Sequence, residues 1–456
     1  MNLARESQDL LELKAAWLKL RGRLYDSTTN LPTLAAVLEK IRRQVEAGER
    51  VGLVYIETSS EGQLERLVGW QAYDRLIGSV GQALLDLRGS ALPLDATIAL
   101  AGVRSDEFVI FVSDQVSEGL NRHGLETIEN QVVAKVREQL SPFVRSELPG
   151  DLFLLPGCAM LENEPTVRIE RSIYKVLAEV QLRCHEKRQR QHRARSAELG
   201  RLLAASDLHV TYQPIVRLED GSVHGFEALS SGPSGGVFES PEVLFAFAEE
   251  TQSITHLERL CRERALAGFQ VAATDRRLFV NSSSYGVADP EIRSGSFRRR
   301  LAAAGLEAKD VVFELTERVA ITEWLSFRQV LDELREMGFR IAIDDVGAGY
   351  SSLQSIAEIE PDYLKFDLSL VRDLHASKIK RDLLSALGDL AAKIGATVIA
   401  EGIEHEQEFH TLREMGVTLG QGFLLSPPLK QPLADRVEVP TRPAGGVWET
   451  ERRAKP

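Results

Sequence analysis

A chain of 456 residues exceeds one typical core, and 43% hydrophobic content without any apolar run near the roughly 20 residues of a bilayer span argues for a soluble protein of two domains with no membrane insertion. A formal net charge of −12 argues against nonspecific binding of nucleic-acid polymers. Three widely spaced cysteines, Cys158, Cys184 and Cys261, argue against structural disulfides or a zinc site, and the acidic N-terminus (Glu6, Asp9, Glu12) lacks the form of a signal peptide, so a reducing cytoplasm is expected.

In chain order, residues 7–24 carry Leu10, Leu11, Leu13, Trp17, Leu18, Leu20 and Leu24, an apolar helical stripe that reads as packing onto its own domain, with docking or dimerisation as the alternatives. The next elements are a helix over about 32–48, a strand at 51–57, a helix over about 63–88, a hairpin at 97–102 and 108–113, a helix at 117–140 and a strand near 152–160. This is the order of an α/β sandwich. Residues 166–204 read as a long connecting helix, with Ile169, Ile173, Val176, Leu177 and Val180 at helical spacing. Its basic stretch from Lys187 to Arg195 reads as a solvated face, or else as part of a lever between domains.

Beyond it, six short apolar runs each stop on a polar residue. Phe226 leads into Glu227, Leu278-Phe279-Val280 into Asn281, and Val311-Val312-Phe313 into Glu314. Ile341-Ala342-Ile343 leads into Asp344-Asp345, Tyr363-Leu364 into Lys365, and Val398-Ile399-Ala400 into Glu401. With helical stretches such as 322–337 and 378–395 between them, these runs predict β/α units closing into a barrel, whose strand ends gather on one face. One acidic residue after a strand commonly caps the next helix. Recurrence of the pattern outweighs that reading, and the paired Asp344-Asp345 has one carboxylate more than a cap needs. Five carboxylates, an Asn and a Lys in one place repel unless cations compensate them, which predicts a metal site. A flexible loop, Gly347-Ala348-Gly349-Tyr350-Ser351-Ser352, is expected to turn both aspartates toward one pocket.

At these residues the chain resembles the EAL-domain cyclic di-GMP phosphodiesterases. The naming triplet is Glu227-Ala228-Leu229, preceded by Tyr212-Gln213-Pro214-Ile215-Val216. There follow Val280-Asn281, Phe313-Glu314-Leu315-Thr316-Glu317, Asp344-Asp345-Val346-Gly347, Leu364-Lys365-Phe366-Asp367, Ala400-Glu401-Gly402-Ile403-Glu404 and Gln421-Gly422-Phe423, over about 205–435. The resemblance implies that Glu227, Asn281, Glu314 and Asp344 ligate one divalent ion and that Asp344 and Asp345 hold a second. Hard oxygen donors suit Mg²⁺ or Mn²⁺. By the same resemblance, Lys365 orients the attacking water, Glu401 is its base or a second-metal ligand, and Glu317 steadies the loop after Asp345. Gln213, Leu229, Asp367 and Gln421 would lie on the substrate side. The implied reaction opens cyclic di-GMP to linear pGpG. One departure stands at Ser231, where the family carries an Arg that helps bind substrate. Weaker binding is expected from it, and a cyclic di-GMP-binding effector with weak or no turnover is the alternative.

The stretch from about 26 to 180 resembles the GGDEF diguanylate cyclase domain through Asp26-Ser27-Thr28-Thr29-Asn30-Leu31-Pro32 and Val103-Arg104-Ser105-Asp106-Glu107-Phe108. Arg104 and Ser105 replace its two signature glycines, Glu57 replaces a metal-binding Asp, and Glu65 falls on a guanine-reading Asn position. A non-cyclase domain that regulates or dimerises the other is therefore expected, any residual GTP binding running through Glu57, Asp74 and Asp106. The expected order is an N-terminal helix at 1–25, a degenerate GGDEF-like domain at 26–165, the connecting helix at 166–204, the EAL domain at 205–437 and a flexible tail at 438–456, in a homodimer.

Overall fold

The run Val51-Gly52-Leu53-Val54-Tyr55-Ile56 has no polar face, and it folds as β1 (Val51–Glu57), a central strand buried on both sides. The computed structural model describes residues 22, 24–58, 65, 69–102, 106–114, 120–147, 154–162, 164, 166–269, 276–316, 324–347, 353–432 and 435–440. Most of the expected N-terminal helix, Arg104, Ser105, Glu317, residues 348–352 and the tail from 441 lie outside the described residues. The chain divides into two compact units, Met1–Arg195 and Ser196–Pro456.

In the first unit, β2 (Thr97–Leu100), β3 (Glu107–Ser113) and β4 (Leu155–Leu161) join β1 in an antiparallel sheet of order β2-β3-β1-β4. Among the described residues, four helices accompany it: α1 (Leu34–Glu46), α2 (Trp70–Asp86), α3 (Arg122–Glu147) and α4 (Ile169–Ala205). Alternation along the strands sends Val54, Ile56 and Ile110 into one core with α2 and α3, and Leu53, Tyr55 and Phe111 into another with α1 and α4. The helix expected from 117 begins instead at Arg122, because the Asn121 side chain accepts the Gly124 N–H at 2.9 Å and caps it there. On α4 the residues Ile173, Leu177, Val180 and Cys184 form the stripe buried against the sheet. In the second unit, Leu199, Leu202 and Leu203 join a core with Phe238 and Leu257.

The second unit is a closed eight-stranded barrel of order β10-β11-β12-β5-β6-β7-β8-β9. Its strands are β5 (His209–Arg217), β6 (Val223–Ser231), β7 (Arg277–Ser282), β8 (Val311–Thr316), β9 (Arg340–Val346), β10 (Tyr363–Phe366), β11 (Thr397–Ala400) and β12 (Leu419–Gly420). Between them run α5 (Pro241–Glu250), α6 (Ile254–Gly268), α7 (Ser284–Val287), α8 (Gly295–Ala303), α9 (Trp324–Glu336), α10 (Leu353–Ile359), α11 (Leu368–Val371), α12 (Lys378–Ile394) and α13 (Glu406–Glu414). The helical patterns at 322–337 and 378–395 are α9 and α12. β6 through β12 run parallel, but β5 is antiparallel to both its neighbours. Residues 218–222 join β5 to β6, too few for the crossover a parallel pair requires.

Inside the barrel, Ile215, Phe279, Val312, Ala342, Tyr363, Ile399 and Leu419 form one buried layer, a residue from every strand but β6. β6 places Gly225 against its neighbour, where a Cβ would come within 2.6 Å of the Arg277 carbonyl and 3.0 Å of the Phe279 ring. No helix among the described residues is long and apolar enough to cross a membrane.

Candidate metal centre

Side chains along a strand return to the same face every second residue. Two positions beyond each member of the apolar layer, the same inward direction therefore carries Asn281, Glu314, Asp344, Lys365, Glu401 and Gln421, with Glu227 two beyond Gly225. On the inverted β5, Gln213 stands two positions before Ile215 and pairs with Glu227 across the strands. The apolar layer thus seals the barrel one step beneath a polar layer at the C-terminal ends of the parallel strands, where such barrels hold their chemistry. The runs do not all stop at their polar residues as the sequence suggests: β6, β7, β8, β9 and β10 continue past Glu227, Asn281, Glu314, Asp344 and Lys365.

Lys365 is the hub. Its side chain is 1% exposed, and Nζ lies 3.2 Å from Glu227 Oε2, 2.9 Å from Glu314 Oε1, 3.1 Å from Asp344 Oδ1 and 2.8 Å from Glu401 Oε1. Asn281 Nδ2 donates to Glu227 Oε1 at 3.0 Å, and Gln421 Nε2 donates to Glu227 Oε2 at 2.7 Å and to Gln213 Oε1 at 2.9 Å. Burial alone raises the Glu227 carboxyl, but Lys365 and the amides of Gln421 and Asn281 outweigh it and hold Glu227 below the ordinary carboxylate value. Glu314 goes the other way: burial and the neighbouring Glu227 push it well above that value, against the pull of Lys365. Burial and Asp344 do the same to Glu401. Burial works against the ammonium of Lys365, yet the four carboxylates raise it well above the usual lysine value.

Asp345 reaches the site by a different device. A strand would turn its side chain away from that of Asp344, but Asp345 takes a left-handed backbone with φ of 58°. The register between β9 and β10 shifts there, Ile343 facing Leu364 and Val346 facing Phe366, so β9 holds an extra residue. The reorientation expected of the following loop occurs instead in a bulge within the strand, a common way to re-aim a side chain beside an active site. Two triads result, Glu227/Glu314/Asp344 and Asp344/Asp345/Glu401, each with ligand atoms within 4.8 Å of one another and sharing Asp344. Glu314 Oε2 is buried and has no hydrogen-bond partner among the described residues. A buried carboxylate oxygen in that state is costly, and an oxygen-only donor set next to it fits a hard divalent cation.

The remaining expected residues are placed as follows. Leu229 is half-buried on β6, on the face of Glu227. Asp367 accepts the Ser369 N–H at 2.8 Å and caps α11. In the first unit, Glu57 is ion-paired with Arg188 of α4, Asp106 accepts from the Tyr73 hydroxyl at 3.0 Å, and Asp74 is exposed on α2. A buried acid beside the end of β7 escaped sequence reasoning. Glu258 of α6 accepts from the backbone two residues past Asn281, but in sequence it is only one more acidic position on an amphipathic helix.

A family model described as "EAL domain" matches residues 196–428. Among curated proteins, the chain is 35% identical over 245 residues to cyclic di-GMP phosphodiesterase NbdA of Pseudomonas aeruginosa, covering 52% of this chain and 30% of that protein. It is 26% identical over 428 residues to cyclic di-GMP phosphodiesterase PdeR of Escherichia coli, covering 89% of this chain and 61% of that one. It is 24% identical over 453 residues to the bifunctional diguanylate cyclase/cyclic di-GMP phosphodiesterase MucR of Pseudomonas aeruginosa, covering 94% and 62%. The chain therefore spans less than two thirds of the length of each of these relatives.

Proposed function

Because the chain belongs to the EAL domain family, we propose that it is a phosphodiesterase that uses divalent cations to hydrolyse cyclic di-GMP to linear pGpG. The observation that carries this reading is the pair of acidic triads sharing Asp344 around the buried Lys365. Glu227, Asn281, Glu314 and Asp344 would hold one Mg²⁺ or Mn²⁺ ion, and Asp344 and Asp345 a second, with Glu401 beside them. Bound there, such ions polarise a phosphodiester and make water acidic enough to attack near neutral pH. The chain's own groups do the rest. The raised proton affinity of Glu401 suits its Oε1 to take the proton of the attacking water, and Lys365 Nζ, 2.8 Å away, can donate to that water and orient it. Gln213 and Gln421 offer amides on the substrate side, and Gln421 Oε1 is buried without a partner among the described residues. Leu229 and Asp367 would line the same side.

The first unit is read as a GGDEF-like partner that regulates the barrel without making cyclic di-GMP. PdeR and MucR match this chain across that half too, while Arg104 and Ser105 stand where close backbone approach to a triphosphate favours glycine. Ser231 favours a second reading, a receptor that binds the dinucleotide and releases no product.

Incubating the purified chain with cyclic di-GMP, and separately with GTP, in Mg²⁺ or Mn²⁺ and resolving the products decides among these. pGpG should form from cyclic di-GMP, stop in excess chelator and vanish in Glu227→Ala, while GTP yields no cyclic di-GMP. Undiminished turnover in chelator contradicts the metal reading, and binding without product establishes the receptor.

A further inference from the structure

Asn281 is followed by a segment fastened to α6 at both ends. At its start the buried Glu258 carboxylate accepts from the Ser283 N–H at 2.8 Å through Oε1 and from the Ser282 hydroxyl at 3.4 Å through Oε2. At its far end Asp289, also buried, accepts from Arg259 Nε at 3.0 Å, Arg259 Nη2 at 2.6 Å and Arg262 Nη2 at 2.7 Å. Arg262 lies one turn after Glu258 on α6, with Nη1 4.0 Å from Glu258 Oε2. Between these ends Ser283 Oγ accepts the Gly286 N–H at 3.1 Å and caps α7. Gly286 packs so closely on Glu258 that a Cβ there would overlap the carboxylate.

A carboxylate in such a place is expensive, since burial disfavours its charge. The bare need is modest: one acceptor for an N–H at the start of a short helix. The chain from Asp289 through Arg262 to Glu258 adds fixed backbone on both sides of the loop. The nearest residue that requires a fixed position is Asn281, immediately before the first anchored residue. Its amide nitrogen is committed to Glu227, so Oδ1 is the atom it can offer a cation.

We propose that Glu258, backed by Arg262 and Asp289, is a positioning residue that holds the end of β7 so that Asn281 can ligate a divalent ion. This rests on the metal reading of the barrel. Groups that orient a metal ligand typically change metal affinity ten- to a hundredfold when removed.

The test is Mn²⁺ affinity of the full-length chain, measured by electron paramagnetic resonance of the free ion, in the wild type, Asn281→Ala, Glu258→Ala and Glu258→Gln. Asn281→Ala should weaken binding at least tenfold, and Glu258→Ala about tenfold with an unchanged circular dichroism spectrum. Weakened binding in Asn281→Ala beside wild-type affinity in Glu258→Ala would overturn the positioning role and leave the metal reading intact. Wild-type affinity in Asn281→Ala overturns the metal reading of this residue, and the proposal with it. Should Glu258→Ala fail to fold, Glu258→Gln decides. Its amide sets donor against donor at Arg262, so about threefold weaker binding is expected. Wild-type affinity in that variant overturns the proposal.

Discussion

Ser231 closes the inward row of β6 that begins with Glu227 and Leu229, and it stands opposite His209 of β5. A guanidinium at that position would grip a phosphate oxygen with about 1–3 kcal/mol, or about fivefold to 150-fold in affinity. Ser231→Arg should therefore lower KM with kcat little changed, the signature of uniform binding. Steady-state kinetics in which KM stays put or rises would show that neighbouring groups have adapted to the serine. His224 makes a prediction of another kind. Burial, then the nearby Arg277, pushes its pKa down to about 3 from the ordinary 6.5. The unfolded chain takes up a proton below pH 6.5 that the folded chain refuses, so this contribution to stability is complete above pH 6.5 and is lost as pH falls toward 3. The slope reaches about 1.4 kcal/mol per pH unit in that window. His224→Gln should flatten the fall in Tm between pH 6.5 and 4, and a variant with the wild-type slope would count against it.

Strand by strand, the polar ends of the barrel were readable because each polar residue follows an apolar one at the spacing of the pleat: Phe279 and Asn281, Val312 and Glu314, Tyr363 and Lys365, Ile399 and Glu401. The β9 bulge was not readable, because the left-handed φ of Asp345 depends on the register with β10, a tertiary property. The inversion of β5 left only the shortness of its turn as a trace. Glu258 left none, since its role depends on where α6 lies beside the end of β7. In the first unit the strand positions came through more faithfully than the helix ends. There Glu57 of β1 lies directly opposite Glu107 of β3, a like-charged pair that weakens a sheet. Helix α4 relieves it: Arg188 pairs with Glu57, and Gln181 Nε2 donates to Glu107 at 2.8 Å. The clasp extends the buried stripe of α4 by one turn past Cys184. Arg188→Glu would set a third carboxylate beside the first two, and amide exchange over 181–188 should accelerate relative to the rest of α4. Equal protection in wild type and variant would show that the clasp contributes nothing.

Taken whole, the barrel carries four carboxylates around one buried ammonium. Cations that bind the folded barrel and not the open chain stabilise it by mass action, about 2.7 kcal/mol at a hundredfold excess over Kd. Thermal unfolding in chelator and in Mn²⁺ should differ by about 5–10 °C, and Asp344→Asn, which alters the residue common to both triads, should abolish the difference. A Tm indifferent to the ion would sink this account. The crowding of charge about Lys365 has a further consequence once the chain is considered in a living cell. If cations bind the barrel as proposed, newly made copies starved of the ion would spend more of their time open to proteases, and small losses of stability translate into several-fold losses of abundance. Mineral supply would then govern how many molecules survive, apart from how fast each of them works.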